Sequence, residues 1–377
     1  MKKFRATLIA LATVAASTAA LADVTIGVSL PLTGPTSALG IPIKESIALW
    51  PKSIAVQKLK VIILDDATDP TNAAKNARRF VTKDKVDILM GSAATPTANA
   101  VAAVASETGT PHLTFAPIDV SPSKSPWSYN LPESTRVMSH ALVAHMKKMG
   151  VKTVGFLGYT DAYGELFLRD MKAEMAGTNI KFVDEERFAR TDTSVTGQAL
   201  KVTASNPDAI LIVASGSGAA MPHKALIERG YKGKIYQTHG AASMALIRVG
   251  GKDVEGAYVV SGPGTVAEQL PADHPSKKVA MAHVAAWEKI HGPNSRNPFA
   301  GHAYDASIIL QKIVPIALKT AKPGTAEFRA ALKTALENSG PIPLYHGTVK
   351  YTATDHAGYT NETGVMLKVV NGDFKVE

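Results

Sequence analysis

The run from Asp87 to Asn99 narrows the possible folds more than any other part of this chain. A short apolar stretch, Ile88-Leu89-Met90, stops at Gly91. Four small residues follow (Ser92, Ala93, Ala94, Thr95), then Pro96 and an Ala-rich segment, Thr97 to Ser106, that reads as a helix. Proline suits the first helical position because it has no N–H to leave unpaired there. Thr95 is then the expected N-cap, with its hydroxyl beside the free N–H groups of the first turn. The carboxyl end of a buried strand, a small-residue turn and a helix N-terminus together accept a negatively charged group. The same residues also make an ordinary strand-to-helix turn, so the rest of the chain has to decide between the two.

Upstream, Val24 to Leu30 and Leu59 to Leu64 read as strands, and Val86 to Met90 as a third. The turn-rich segment Pro31 to Gly40 leads into a helix expected at Pro42 to Trp50. Asp65-Asp66-Ala67-Thr68-Asp69-Pro70 opens the next helix, which runs to Val81. Its three acids lack the spacing of an oxygen-ligand calcium loop, and Asp69 as N-cap before Pro70 explains the pattern better than a metal. Pro111 to Ile118 reads as a fourth strand with a second small-residue end. Alternating strands and helices of this length form a parallel sheet covered on both faces. Ligands of such sheets sit beyond the carboxyl ends of the strands, so the loops at 33–40, 91–95 and 116–118 should share one edge.

Regularity fails between Asp119 and Arg136, which reads as a crossing into a second lobe. The rhythm then restarts with strands at Thr153 to Leu157, Lys181 to Phe188, Ala209 to Ala214 and Lys234 to Thr238. Helices are expected between them and, after a break at Ser261-Gly262-Pro263-Gly264, at about 275–291, 303–321 and 325–339. A strand near 348–351 and a hairpin about Asn371-Gly372 close the chain.

Residues 1–22 are not part of this fold. A basic start (Lys2, Lys3, Arg5), an apolar stretch from Ala6 to Ala16 and the small-x-small site Ala20-Leu21-Ala22 describe an export signal cleaved after Ala22. The apolar stretch is too short for a membrane span, and no insertion elsewhere is expected. The absence of cysteine removes both a lipid anchor at the cleavage site and any disulfide, so core packing alone must hold the exported fold. The remaining 355 residues exceed one ordinary core and imply two domains. Of the formal charge of +9, three units leave with the signal, and the remaining basic residues are spread along helix faces. That distribution describes solvated surface and not nucleic-acid binding.

Enzyme signatures are poor. Gly216-Ser217-Gly218 is half a dinucleotide fingerprint, with Met221 where the third glycine belongs. It is not a nucleophile elbow. No H-E-x-x-H occurs, and thiolate chemistry has no residue to carry it. No cofactor and no metal are expected. An exported hydrolase would need a nucleophile–base pair among Ser92, Ser215, Ser217, His239 and His302. A DNA-binding regulator is set aside, since the chain opens with an export signal and not a helix-turn-helix.

Thr33-Gly34-Pro35, Asp65 to Pro70, Gly91 to Pro96, Asp161-Ala162-Tyr163-Gly164 and Val254-Glu255-Gly256 occur in this order behind the signal. Together they resemble the periplasmic leucine/isoleucine/valine-binding protein family, the type I solute-binding proteins of ABC importers, across essentially the whole mature chain. The Ser37-to-Pro42 turn and the Thr95-Pro96 helix start further resemble the subset associated with aromatic acids. The resemblance implies an α/β fold of two Rossmann-like lobes joined by three crossovers, with the ligand cleft between them. Lobe I would comprise 23–131 and 262–344, and lobe II 132–261 and 345–377. It implies a monomeric periplasmic receptor, not an enzyme, that delivers a small molecule to importer permease subunits.

Residue by residue, the resemblance places the first-lobe ligand loops on Ala94-Thr95 and on Ala116-Pro117-Ile118. It places the aromatic wall of the second lobe on Tyr163 and further pocket positions on Leu39, Ser215, His239 and Phe299. In the amino-acid binders a carboxylate receives the ligand's ammonium group where this chain has His239. A hydroxyl residue is replaced by Ile118, covering aromatics by Leu39 and Ser215, and the cysteines of some members by Thr68 and Ala93. A buried ammonium without an acceptor costs several kcal/mol, which disfavours an α-amino acid. A small apolar carboxylate, aromatic above all, suits the site better. Its acid would lie on Thr95 and the helix N-terminus, and a polar substituent would meet His239. A branched-chain amino acid is the alternative ligand. Tyr163, His239, Phe299, Leu39 and Ile118 each also have a purely structural reading as packed or braced residues, and His302 reads as a brace for a loop.

Overall fold

Seven consecutive buried residues form β1 (Val24–Leu30), at the middle of the first sheet. A strand covered on both faces is a continuous apolar run, which a parallel sheet between helices requires. In this computed structural model, which describes residues 23–377, β1 pairs in parallel with β3 (Gln57–Asp65) and β4 (Ile88–Gly91). The sheet order is β2-β3-β1-β4-β5-β6, with β2 (Ser53–Ile54), β5 (His112–Thr114) and β6 (Ser128–Asn130). Helices α1 (Ser37–Ile47), α2 (Pro70–Thr82) and α3 (Thr95–Thr108) connect these strands. The export signal and its cleavage site lie outside the described residues.

The second sheet has the order β15-β14-β11-β10-β9-β7-β8. Its parallel part is β7 (Thr153–Tyr159), β8 (Lys181–Phe188), β9 (Ala209–Val213), β10 (Lys234–Gln237) and β11 (Tyr258–Ser261). Helices α4 (Thr135–Lys148), α5 (Ala162–Met175), α6 (Thr196–Ala204), α7 (Ala220–Glu228) and α8 (Met244–Gly250) cover it. After β11 the chain supplies α9 (Lys277–His291), α10 (Pro298–Ala317) and α11 (Ala326–Asn338), and α10 packs on α1 of the first lobe. A short hairpin, β12 (Ile342–Leu344) and β13 (Gly347–Val349), precedes β14 (Val365–Val370) and β15 (Asp373–Val376). The final turn has Asn371 and Gly372 both at positive φ, the conformation a two-residue hairpin needs. Two α/β lobes with mostly parallel sheets make this the type I periplasmic binding protein fold.

Several expected elements differ. α1 starts at Ser37 and carries Pro42 inside it, because the chain already turns at Thr36, whose carbonyl accepts from the Leu39 N–H at 2.9 Å. The fourth strand ends at Thr114, whose hydroxyl donates to the Ala116 carbonyl (2.8 Å) and turns the chain. The irregular segment 119–136 contains β6, which extends the first sheet. Tyr351 and Tyr359 donate to the carbonyls of Asn130 (2.5 Å) and Leu131 (2.8 Å), which holds 347–359 beside β6.

The acids of 65–69 have structural work. Asp69 caps α2, accepting from Asn72 N at 2.8 Å. Asp65 accepts from the backbone of Leu32, Thr33 and Ala67, and Asp66 from the hydroxyls of Ser29 and Ser92.

Candidate functional site

The carboxyl end of β4 needs a glycine. Gly91 has φ +103, and a Cβ there would overlap the Ser29 carbonyl of β1. The chain then bends through Ala93 and Ala94 into α3. Ala94, not Thr95, is the N-cap residue, and no side chain caps this helix. The Thr95 hydroxyl instead donates to the Pro117 carbonyl at 2.9 Å, tying the two first-lobe loops together. The expectation of a capping Thr95 is therefore corrected. The result leaves first-turn N–H groups without an intrahelical partner.

Facing this edge, the second lobe presents the start of α5. Asp161 caps it by accepting from Tyr163 N (2.9 Å), and the Tyr163 hydroxyl is 2.9 Å from the Thr238 hydroxyl. Burial raises the Tyr163 phenol, so it stays neutral and offers a wall. Just past β8, Arg190 folds back over the Tyr159 ring, with its guanidinium carbon 4.0 Å from the ring centroid. Its Nε donates to Asp161 (2.5 Å) and its Nη1 to the Ser215 hydroxyl (2.9 Å). A guanidinium has five N–H donors in a planar fork, so Arg190 keeps donors for a further acceptor.

These residues meet around a narrow cavity of about 30 Å³. It is lined from the first lobe by Leu39, Ala94, Thr95, Ala116 and Phe299, and from the second by Tyr163, Ser215 and His239. Leu39 lies on α1 and not in a loop, and it crosses the gap to pack against Gly216. Phe299 is placed by Asn297, which caps α10 by accepting from Phe299 N at 2.9 Å. The space holds on the order of one or two waters, so entry of anything larger requires the lobes to part.

Ile118 is not part of this lining. Because β5 stops early, Ile118 turns into a small cluster with Ala98, Ala102 and Val120, and Asn130 brackets its backbone on both sides. Two further residues line the cavity, Arg190, which no sequence pattern singled out, and His302, expected as a loop brace. Both ring nitrogens of His302 are buried without a partner among the described residues, as is Nδ1 of His239. Burial pushes His239 down to about 3 and His302 well below the usual range, so both rings are neutral at ordinary pH. Arg190 is thus the formal charge on the lining, and no Asp or Glu faces the cavity among the described residues. The hydrolase alternative gains no support here. Ser92 is bonded to Asp66 and Ser215 accepts from Arg190, so neither hydroxyl is handed to a histidine.

The model of the family described as periplasmic binding protein matches residues 23–373. A leucine/isoleucine/valine-binding protein homologue of Brucella melitensis is 23% identical over 361 residues, covering 91% of each chain. An extracellular ligand-binding receptor from Rhodopseudomonas palustris is 47% identical, with a TM-score of 0.93 over 95% of this chain and 99% of its own. An ABC-transporter solute-binding protein from R. palustris BisB5, solved with 3,4-dihydroxybenzoic acid, is 21% identical and has the same fold (TM-score 0.77, covering 94% and 95%). With the two-lobed fold and the cavity between its lobes, the match over nearly all of residues 23–377 makes this chain a member of the periplasmic binding protein family of solute receptors.

Proposed function

We propose that this protein is the periplasmic receptor of an ABC importer for a small apolar carboxylate, aromatic in its body, gripped between two closing lobes. One observation carries the reading. The cavity wall offers one guanidinium, Arg190, and no carboxylate to balance an ammonium group. Asp161, two residues before Tyr163, is spent on Arg190 and on its own helix cap. A carboxylate takes the free edge of Arg190 and the first-turn N–H groups of α3. A flat apolar body packs between Leu39, Tyr163 and Phe299, and a hydroxyl at its far end meets the neutral rings of His239 and His302. The R. palustris structure with 3,4-dihydroxybenzoic acid supports this shape of ligand.

The chain acts, on this reading, as a monomer with lobe I at 23–131 and 262 to about 360, and lobe II in the remainder. It is exported by the segment cleaved after Ala22 and hands its ligand to permease subunits without chemical turnover. The name of the Brucella relative favours a second reading, a branched-chain amino-acid receptor. A thermal-shift screen separates them, since a ligand that binds the folded state alone raises Tm by mass action. Benzoate and 3,4-dihydroxybenzoate are expected to raise Tm, and leucine, isoleucine and valine to leave it unchanged. Stabilisation by leucine and by neither acid would sink the proposal.

A further inference from the structure

Behind the cavity, where two of the crossovers meet, lies a carboxyl group that the binding site does not use. Glu133 sits on the first crossover with 1% of its surface exposed, and its Oε1 has no hydrogen-bond partner among the described residues. The carboxyl rests against Gly262 of the second crossover, where a Cβ would overlap Oε1 and approach the His346 carbonyl. His346 lies in the turn between β12 and β13 and is held by Asp305 of α10, with Nδ1 2.8 Å from Oδ2. One side chain therefore touches the first and second passages.

We propose that Glu133 links lobe closure to the uptake of one proton, being neutral while the crossovers are packed together and ionised when they part. This rests on the receptor reading above, in which ligand and closure go together. The physical reason is desolvation. An ionised carboxylate with an unpartnered oxygen is costly in a dry junction and ordinary in water. Hinge bending changes the backbone at these crossovers and wets the group.

The surroundings reinforce it. Asp305 and Tyr359 are the titratable groups that act on Glu133 most directly. Around them stand His346, His302, His239 and His283, all kept neutral by burial, with Tyr345 and Tyr351. Arg296, the cation that acts on Tyr345, is already paired with Glu268 and Glu288. Burial pushes Glu133 up to about 8. In the open form it returns to the ordinary carboxyl value, about 4.3. Between these values the closed form holds a proton that the open form lacks, so closure weakens as pH rises and its pH dependence levels off above about 8.

Two measurements on the mature chain test this. Calorimetric titration with 3,4-dihydroxybenzoate at pH 6.5, in buffers of different ionisation enthalpy, should show the wild type taking up one proton more per ligand than Glu133→Gln, which mimics the neutral carboxyl. From pH 5 to pH 7 the wild-type affinity should fall about 100-fold relative to that of the variant, which still binds. Equal proton exchange in the two proteins overturns the proposal.

Urea unfolding without ligand is the second measurement, and it separates this proposal from the choice of ligand. From pH 5 to pH 8 the stability difference between wild type and Glu133→Gln should stay constant, because the open folded chain and the unfolded chain both hold Glu133 ionised. A wild type that loses stability relative to the variant across this range holds its proton without closure, which overturns the proposal even if no acid binds.

Discussion

Arg190 shows how a residue gains its meaning from burial. In the sequence it follows Asp184-Glu185-Glu186-Arg187, a charged edge strand, and looks like one more solvated cation. In the structure its side chain is 10% exposed, stacked on Tyr159 and held by Asp161 and Ser215. Neither the spacing nor the composition of 181–190 carries that signal, because the partners lie 25 to 31 residues away in the chain. Arg190→Ala is expected to cost about 2–5 kcal/mol of acid binding, since it strips a charge-assisted contact from a desolvated site. Arg190→Lys should recover only part of this, because an ammonium lacks the fork. Calorimetry on 3,4-dihydroxybenzoate checks both, and equal affinity in all three proteins would remove Arg190 from the site. Thr95 is the complementary case. Its position at the cleft was legible and its role was not, because its hydroxyl joins two loops. Thr95→Ala should lower unfolding stability by about 1 kcal/mol in urea titrations, with a smaller loss of affinity than Arg190→Ala.

At the scale of elements, legibility followed locality. The buried run Val24–Leu30, the cap at Asp69 and the Asn371-Gly372 turn are each dictated by residues within a few positions of one another, and each forms as expected. β6 and the placement of 347–359 beside it were hidden because long-range hydrogen bonds fix them, from Tyr351 and Tyr359 to the chain at 130–131. The same distinction sets the size of mutational effects. Asp69→Ala should cost about 1 kcal/mol of stability, the worth of one N-cap. Gly262→Ala is expected to be more severe, since its methyl group would displace the Glu133 carboxyl and the His346 carbonyl at the junction. Its signature is weakened ligand binding with a lowered Tm, and a Gly262→Ala protein with wild-type affinity and Tm would show that the junction has slack.

For the whole molecule, buried histidines set the response to acid. Burial pushes His112, His223 and His283 down to about 4, and His239 and His346 to about 3. Below pH 6.5 the unfolded chain gains protons at these positions while the folded chain does not. Each such group costs up to about 1.4 kcal/mol per pH unit until its folded value is reached. Urea midpoints should therefore fall between pH 6.5 and pH 5, and a midpoint that rises over that interval would contradict the neutral, buried state of these rings. The two lobes and the first lobe's facing edge were readable from the order of strands and small-residue loops, whereas the second-lobe wall positions came only from the family resemblance. The charge that completes the wall was not readable, because it depends on how one lobe folds back on itself.

A crystal structure of the mature protein grown with 3,4-dihydroxybenzoate addresses the proposed grip on an acid directly. The carboxylate should lie within hydrogen-bond distance of Arg190, with the ring between Leu39, Tyr163 and Phe299. An acid bound outside the interlobe cavity, or a co-purified amino acid in the cavity with its ammonium group on Asp161, would contradict it.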